Sequence, residues 1–566
     1  MSGFSKVVFS ILLASTTTFA RQSSVASINS ATGLSTACQQ RSQVYSLATC
    51  LGSPEMNKML SGLTHADETR NKVELMHLGE NSLKRRIEMI KSAEHYVFIT
   101  TMLWADDPVV EKIEDLLGSK TSTLADFDVR ILHDWFFPAK QSNPSNDPHL
   151  KSFIKRENMM GWNGPMALRR ASFHPLSYHL HDKQFNVDGK KLIIGGMNMG
   201  QEYLQGGETE LGWHDTDLYI EGPAARIQAE NFLKAFEIAA YFESPRHFPP
   251  TEKNEIKVLR DYFYDDVEDF SFKHAKTSNE LASDRDRGLP FAPQNILKGH
   301  FNSYKDSKFL PEPKLNPEHN VHLRVIYDNE LLDREVDSNG KVRHFSKVIN
   351  TLEFLLKNAS HQAVLFMPYL SLSSNMMRIL NEAAKHLEVI VITNSWQSID
   401  KPKSGSDRGY KTQIINYANL ISSGVKLFEW QGHYALRKIQ TDNNCKFAGG
   451  YNGKWPGDTL HSKIAIIDQS VMMIGSDNMD KRSENFNNEV MTLVRDDGVT
   501  KAAYENIWVY DYNLGRLGQS VSCGDKIFIQ PTEVERISFE KAAQLYDEHK
   551  PSKFMLDHIN FYNNIN

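Results

Sequence analysis

His181-Asp182-Lys183, followed by Asp188, Ile194-Gly195-Gly196 and Asn198-Met199, recurs later as His461-Ser462-Lys463, followed by Asp468, Ile474-Gly475-Ser476 and Asn478-Met479. Counted from its own histidine, each copy has Lys at +2, Asp at +7, Ile at +13, Gly at +14, Asn at +17 and Met at +18. A lone H-x-K reads most simply as a surface strand with two polar residues. So many identities at matched offsets, without a gap, read instead as an internal duplication.

Each copy has the pattern of a β-hairpin. Phe185 and Val187 in the first, and Ile464, Ile466 and Ile467 in the second, are strand formers. Period-2 alternation puts His181 and Lys183 on one face of their strand, and His461 and Lys463 likewise. Asp188-Gly189 is a hairpin-turn pair, and Asp468-Gln469-Ser470 is a weaker version of it. The return strands Lys191–Ile194 and Val471–Ile474 bring Gly195 and Gly475 back toward the histidines, where a glycine is expected to let a ligand approach the backbone. Two hairpins would present two imidazoles, two ammoniums and two carboxamides, a set able to grip a phosphate from opposite sides.

H-x-K-x4-D followed by G-[GS]-x-N, in two copies, resembles the phospholipase D superfamily. The second copy runs on as Gly475-Ser476-Asp477-Asn478-Met479-Asp480-Lys481-Arg482-Ser483, then Asn485, Asn488 and Glu489, which resembles the long form of the family's second motif. Trp213-His214-Asp215-Thr216 and Ile220-Glu221-Gly222-Pro223-Ala224 resemble the stretch after the first motif in cardiolipin synthases and related bacterial phosphatidyltransferases. The resemblance covers roughly residues 80–240 and 320–515. It implies an α/β protein of two pseudo-symmetric α/β/α sandwich domains packed around one shared active site.

The length of 566 residues exceeds a single hydrophobic core, and 40% hydrophobic with 24% charged residues is ordinary globular composition. A formal net charge of -6 gives no global basic bias and argues against a non-specific nucleic-acid binder. At the N-terminus, Lys6, the apolar run Val7–Ala14 and the small-x-small site Thr18-Phe19-Ala20 read as a cleaved export signal, too short to span a bilayer comfortably. Cys38, Cys50, Cys445 and Cys523 allow three disulfide pairings, of which Cys38–Cys50 with Cys445–Cys523 is the simplest because each pair shares a region. The sequence has no metal-ligand spacing.

These readings divide the chain into a signal (1–20), an N-terminal extension (21–70), a first domain (71–249), a linker (250–318), a second domain (319–529) and a tail (530–566). In the first domain, helices over Asn81–Ala93 and Val109–Leu117 alternate with strands over Tyr96–Thr100 and Val129–Leu132. In the second, helices over Phe345–Leu356, Asn375–His386 and Tyr417–Ser423 alternate with strands over Ala363–Met367, Val389–Thr393 and Gly424–Phe428. The stretch 431–458 reads as a loop, from its glycines and Trp455-Pro456-Gly457.

The residue types dictate the chemistry. One imidazole attacks phosphorus to form a phosphohistidine, and the other protonates the leaving oxygen. Lys183, Lys463, Asn198, Asn478 and Ser476 are the candidates for holding the phosphate oxygens. The resemblance makes His181 the nucleophile and His461 the acid/base, and makes Asp215 and Glu489 the carboxylates that orient them. Asp188 and Asp468 complete the catalytic motif, although their turn positions suit a structural role. No metal and no cofactor are expected. The aromatic runs Trp135-Phe136-Phe137-Pro138, Met159-Met160-Gly161-Trp162 and Pro368-Tyr369-Leu370 suit acyl chains better than a polynucleotide. The expectation is therefore an exported, periplasmic or secreted phospholipase D or phosphatidyltransferase of the cardiolipin synthase type. It would act as a monomer on glycerophospholipid, with peripheral membrane contact and no nucleic-acid partner. A nuclease of the same superfamily and an inactive phosphate- or lipid-binding module are the alternatives.

Overall fold

A computed structural model describes Cys38 and residues 46–77, 79–105, 107–124, 127–133, 166–170, 179–204, 212–243, 318–329, 334–336, 342–344, 346–399, 408–432, 434–445, 459–485, 487–513, 520–529 and 534–551. Residues 1–20, expected from sequence to be a signal, nearly all of the 250–318 stretch, the Trp135 and Trp162 runs and the last residues of the tail lie outside the described residues.

The duplication extends through both halves. In the first, the strand order is Thr69–His77, Thr216–Glu221, Lys191–Gly195, Gln184–Val187, Tyr96–Thr101, Asp128–His133 and Met166–Arg170. The second repeats it with Val321–Asp328, Asn487–Arg495, Val471–Gly475, Ile464–Ile467, Gln362–Phe366, Glu388–Asn394 and Lys426–Trp430, and adds the edge strand Val534–Arg536. In both halves the first five strands run antiparallel to their neighbours and the last three run parallel to one another. The halves join edge to edge where Thr69–Asn71 pairs with Val321–Leu323, so among the described residues one sheet runs through both, with the short strand His179–Leu180 off this path as its sixteenth.

Local sequence explains the elements. Tyr96–Thr101 and Ile464–Ile467 are buried along their whole length, as apolar runs covered on both faces should be. Helix Pro108–Thr123 starts where Asp107 accepts from the Val109 and Val110 amides, with proline in the first turn, where its missing N–H costs nothing. Ser346 and Ser373 cap Lys347–Asn358 and Ser374–Ala383 in the same manner. The helix at Tyr434–Asn443 departs from the loop expected there; its C-terminal end is tied by Cys445–Cys523 to the hairpin Ser520–Ile529. Cys38–Cys50 forms the other disulfide.

Three apolar cores hold the layers. One belongs to the first half (Ile99, Ile113, Leu117, Ile193) and one to the second (Leu352, Leu365, Ile379, Leu427). The third is shared, with Phe98, Ile194 and Phe232 packed in one cluster with Phe366, Ile474 and Trp508. The stretch assigned from sequence to an extension ahead of the first domain joins the second half's core through Leu47, Leu51, Met56 and Leu60. Arg495, from the second half, donates to the Ala48 carbonyl, and Arg324 donates to that of Ala66. The first domain's own sheet begins at Thr69.

The two hairpins share one turn. Asp188 and Gly189 have φ of 55° and 59°, and Asp468 and Gln469 both have 51°, so the left-handed pair forms even without the glycine. The carboxylates explain why. Asp188 accepts from the backbone amides of Glu94, His95 and Tyr96, and Asp468 from those of Ser360, His361 and Gln362. Each aspartate of the catalytic motif therefore clamps the turn to the start of the neighbouring strand. It lies five residues from its lysine, roughly 16 Å along a strand, and so belongs to the framework rather than the reacting groups. Asp188→Ala or Asp468→Ala should destabilise the fold by roughly 3 kcal/mol or more, since three amides lose a charged acceptor. A urea midpoint far below that of the parent, with much smaller loss of turnover per folded molecule than the histidine variants suffer, is the expected result.

Candidate active site

The two hairpins deliver their histidines to the seam between the halves, and each half completes the other's site. Just before His181, His179–Leu180 pairs with Asn487–Asn488 of the second half, and the His181 amide donates to the Asn488 carbonyl over 3.1 Å. Just before His461, Thr459–Leu460 pairs with Trp213–His214 of the first half, and the His461 amide donates to the His214 carbonyl over 2.9 Å. The residue after each acceptor is an acid. His181 Nδ1 lies 2.9 Å from Glu489 Oε2, and His461 Nδ1 lies 2.6 Å from Asp215 Oδ2. The carboxylates are thus exchanged between the halves.

Each carboxylate is itself held. Ser476 Oγ donates to Glu489 Oε2 over 2.5 Å, and Asn487 donates to Oε1 over 3.1 Å. Ser476, expected to bind phosphate, is spent on Glu489 and on accepting from the Val490 amide. Asp215 Oδ1 accepts from the Thr216 amide, and its side chain occupies the space that a Cβ on Gly196 would need. Where the second copy has serine to steady a glutamate, the first has glycine to admit an aspartate.

Gly195 and Gly475 have a different reason from the one their spacing suggests. A methyl at Gly195 would strike Asp217 and the Thr216 carbonyl; at Gly475 it would strike Met491 and the Val490 carbonyl. These glycines admit the adjacent strand, not a ligand.

Lys183 Nζ donates to the His181 carbonyl over 2.6 Å, and Lys463 Nζ donates to that of His461. Asn198 Oδ1 accepts from the Leu103 amide at 3.2 Å, which leaves its amide NH2 as the donating end. Asn478 is buried beside Ser483, whose hydroxyl takes its backbone N–H.

Both imidazoles are only 6% and 4% exposed, so charge on them is costly. Burial pushes His181 down to about 4, against the pull of Glu489. Burial, then the charges of Lys463, Lys183 and His181, hold His461 well below its ordinary value. The exchanged carboxylates and the two crossing strand pairs hold both histidines at one seam. Lys463 falls to about 7, through burial first. Burial raises Glu489, but His181, Lys183 and the Ser476 hydroxyl outweigh it and keep the carboxyl below its usual range. Asp182, whose buried carboxylate oxygens have no partner from another residue, is pushed up to about 8 by burial and then by Glu489.

Aromatic side chains flank His461. Trp213 meets the His461 ring edge-on with centroids 4.7 Å apart and stacks on Tyr203 at 5.0 Å; Tyr369 lies 6.3 Å from His461. Tyr369 stood in one of the aromatic runs legible in the sequence, whereas Tyr203 sits alone in a short helix and offers no local signal.

The chain is similar to several known proteins. A family model described as cardiolipin synthase, PLD-like domain, matches residues 352–508. An uncharacterized protein of Helicobacter pylori (strain ATCC 700392 / 26695) is 22% identical over 431 residues, 74% of this chain and 75% of its own. Cardiolipin synthase C of Escherichia coli (strain K12) is 23% identical over 323 residues, 56% of this chain and 59% of its own. Among solved structures, phosphatidylserine synthase of Haemophilus influenzae Rd KW20 superposes with a TM-score of 0.52 at 13% identity, covering 90% of this chain and 97% of its own, a likeness of fold. These matches, the duplicated motif and the repeated strand order make the chain similar to phospholipase D-like proteins of the cardiolipin synthase type.

Proposed function

We propose that this protein cleaves or exchanges the head-group phosphodiester of a glycerophospholipid through a phosphohistidine, as a phosphatidyltransferase or phospholipase D. The observation that carries the reading is the pair of buried histidines, each oriented by a carboxylate from the other half. A hydrogen bond from Nδ1–H to an ionised carboxylate leaves the Nε2 lone pair free. His181, neutral at pH 7, supplies that lone pair. Its Nε2 bonds to phosphorus as the bond to the head-group oxygen breaks, and His461, which must first take up a proton on Nε2 when the anionic substrate binds, passes that proton to the oxygen. An alcohol or water then gives its proton to His461, its oxygen bonds to phosphorus, and the phosphorus–nitrogen bond breaks. After burial, Lys463 and Lys183 are the next groups that depress His461, so the anionic phosphate of a bound substrate offsets their share and favours its protonated form.

Several features support lipid over polynucleotide: the absence of basic bias in the whole sequence, the aromatic flank of His461, and relatives named as cardiolipin synthases. The two disulfides suit an exported protein in an oxidising compartment. Peripheral contact with a membrane is part of the same reading; no described helix is long and apolar enough to cross one. The deciding experiment incubates the purified protein with phosphatidylglycerol, phosphatidylcholine and single-stranded DNA, with and without a primary alcohol. Released head group or a phosphatidyl-alcohol is expected. Degraded DNA with untouched lipid would replace this reading with a nuclease.

A further inference from the structure

The strand Glu388–Asn394 ends on a side chain that behaves like a strand neighbour. Asn394 is wholly buried. Its Oδ1 accepts from the Leu460 amide at 2.8 Å, and its Nδ2 donates to the Leu460 carbonyl at 2.8 Å. One carboxamide therefore takes both backbone polar groups of the residue that precedes His461. The remaining valences are also filled: Nδ2 donates to the Pro368 carbonyl at 2.9 Å, and Oδ1 accepts from Ser398 Oγ at 2.9 Å.

The support continues behind it. Gln413 donates to the Asn394 carbonyl and, over 2.7 Å, to the Tyr417 hydroxyl. The Tyr417 and Tyr410 hydroxyls both donate to Glu429 Oε1, at 2.7 and 2.9 Å. Such a fully satisfied buried network has one low-energy arrangement and holds its members rigidly. Its forward end is the backbone beside His461, whose imidazole is gripped separately by Asp215.

We infer that Asn394 is a positioning residue that sets where His461 stands, by holding the Leu460 peptide groups against the end of its own strand. The inference rests on the reading of His461 as the group that protonates the leaving oxygen. Misplacing such a donor should penalise a substrate whose leaving group needs a proton and spare one whose leaving group does not. A purely structural weakening would slow both alike.

The test compares the parent protein with Asn394→Ala and Gln413→Ala on two substrates sharing a phosphatidyl group: phosphatidylcholine and phosphatidyl-p-nitrophenol. For Asn394→Ala the expected result is a fall in kcat of about 10²-fold on phosphatidylcholine, the cost of a displacement on the order of 1 Å, with KM little changed. The fall in the first-turnover burst of nitrophenol from the nitrophenyl ester, read before the phosphoenzyme turns over, should be several times smaller. Gln413→Ala, which loosens Asn394 from behind, should show the same inequality more weakly, and serves where Asn394→Ala does not fold. Equal losses on both substrates, or no loss, would overturn the inference. A second measurement does not depend on turnover. In ¹⁵N-histidine-labelled protein, the Nδ1 proton bound to Asp215 is assigned by its loss in His461→Ala. In Asn394→Ala it should shift or broaden while the His181–Glu489 proton stays in place. If the parent acts on neither lipid, the proposed function fails, and this spectrum alone decides: a displaced His461 signal supports the role of Asn394, and an unmoved one removes it.

Discussion

His181→Ala eliminates turnover: kcat falls by roughly 10⁴-fold or more, the scale seen when a covalent nucleophile is deleted from a unit whose members act together. No phosphohistidine accumulates in phosphoprotein analysis quenched and kept at alkaline pH, where the phosphorus–nitrogen bond survives. His461→Ala gives a different signature. Loss of a general acid costs about 10² to 10⁴-fold on a natural head group, and much less in the first-turnover release of nitrophenol from a p-nitrophenyl ester, which leaves without a proton. Its phosphoenzyme forms with the activated substrate and then persists, because no base activates the acceptor. A chain in which both variants retain parental activity would not use this chemistry. A chain in which the two signatures are interchanged would have its nucleophile in the second copy. The burial of both imidazoles and the near-symmetry of their carboxylates make this pair of experiments the one that assigns the roles.

Glu489→Gln and Asp215→Asn come next in size, and each acts on the histidine of the other half. An amide of the same shape can offer its NH2 to Nδ1 and so favour the wrong tautomer, with the proton on Nε2. The expected loss in kcat approaches 10⁴-fold, as when a buried orienting carboxylate becomes a carboxamide in a catalytic triad. Glu489→Gln should damage formation of the phosphoenzyme, and Asp215→Asn the steps that move a proton. Combining Glu489→Gln with His181→Ala should add little to His181→Ala alone, since the carboxylate acts through that ring.

A pH dependence of stability accompanies the Glu489 substitution. Its folded carboxyl sits below the ordinary value of 4.5, so it stabilises the protein at pH above that value, and the contribution is lost as pH falls through the folded one. Urea midpoints measured from pH 6 down to about pH 3 should therefore fall less steeply for Glu489→Gln than for the parent. An equally steep fall would mean that Glu489 does not stay ionised in the folded site.

Alternation and spacing in the sequence determined that there are two hairpins, that His and Lys share a face in each, and that strand and helix alternate around them. These are local regularities. A period of two residues, or a serine ahead of an apolar helix, acts within a few residues and can be read without knowing the fold. Asp215 and Glu489 could be singled out by the stretches around them, but not which histidine each would meet. That was decided by tertiary structure, because the partners stand 308 and 246 residues apart in sequence. They meet only because the strand pair ahead of each motif crosses to the other half. The same reason hid the work of Asp188 and Asp468, whose amide partners lie about a hundred residues away, and of Gly195 and Gly475, whose missing side chains make room for a neighbouring strand. Asn394 is the extreme case: an ordinary asparagine at the end of an ordinary strand. Only the arrival of Leu460 beside it, 66 residues later, makes its carboxamide a stand-in for a backbone.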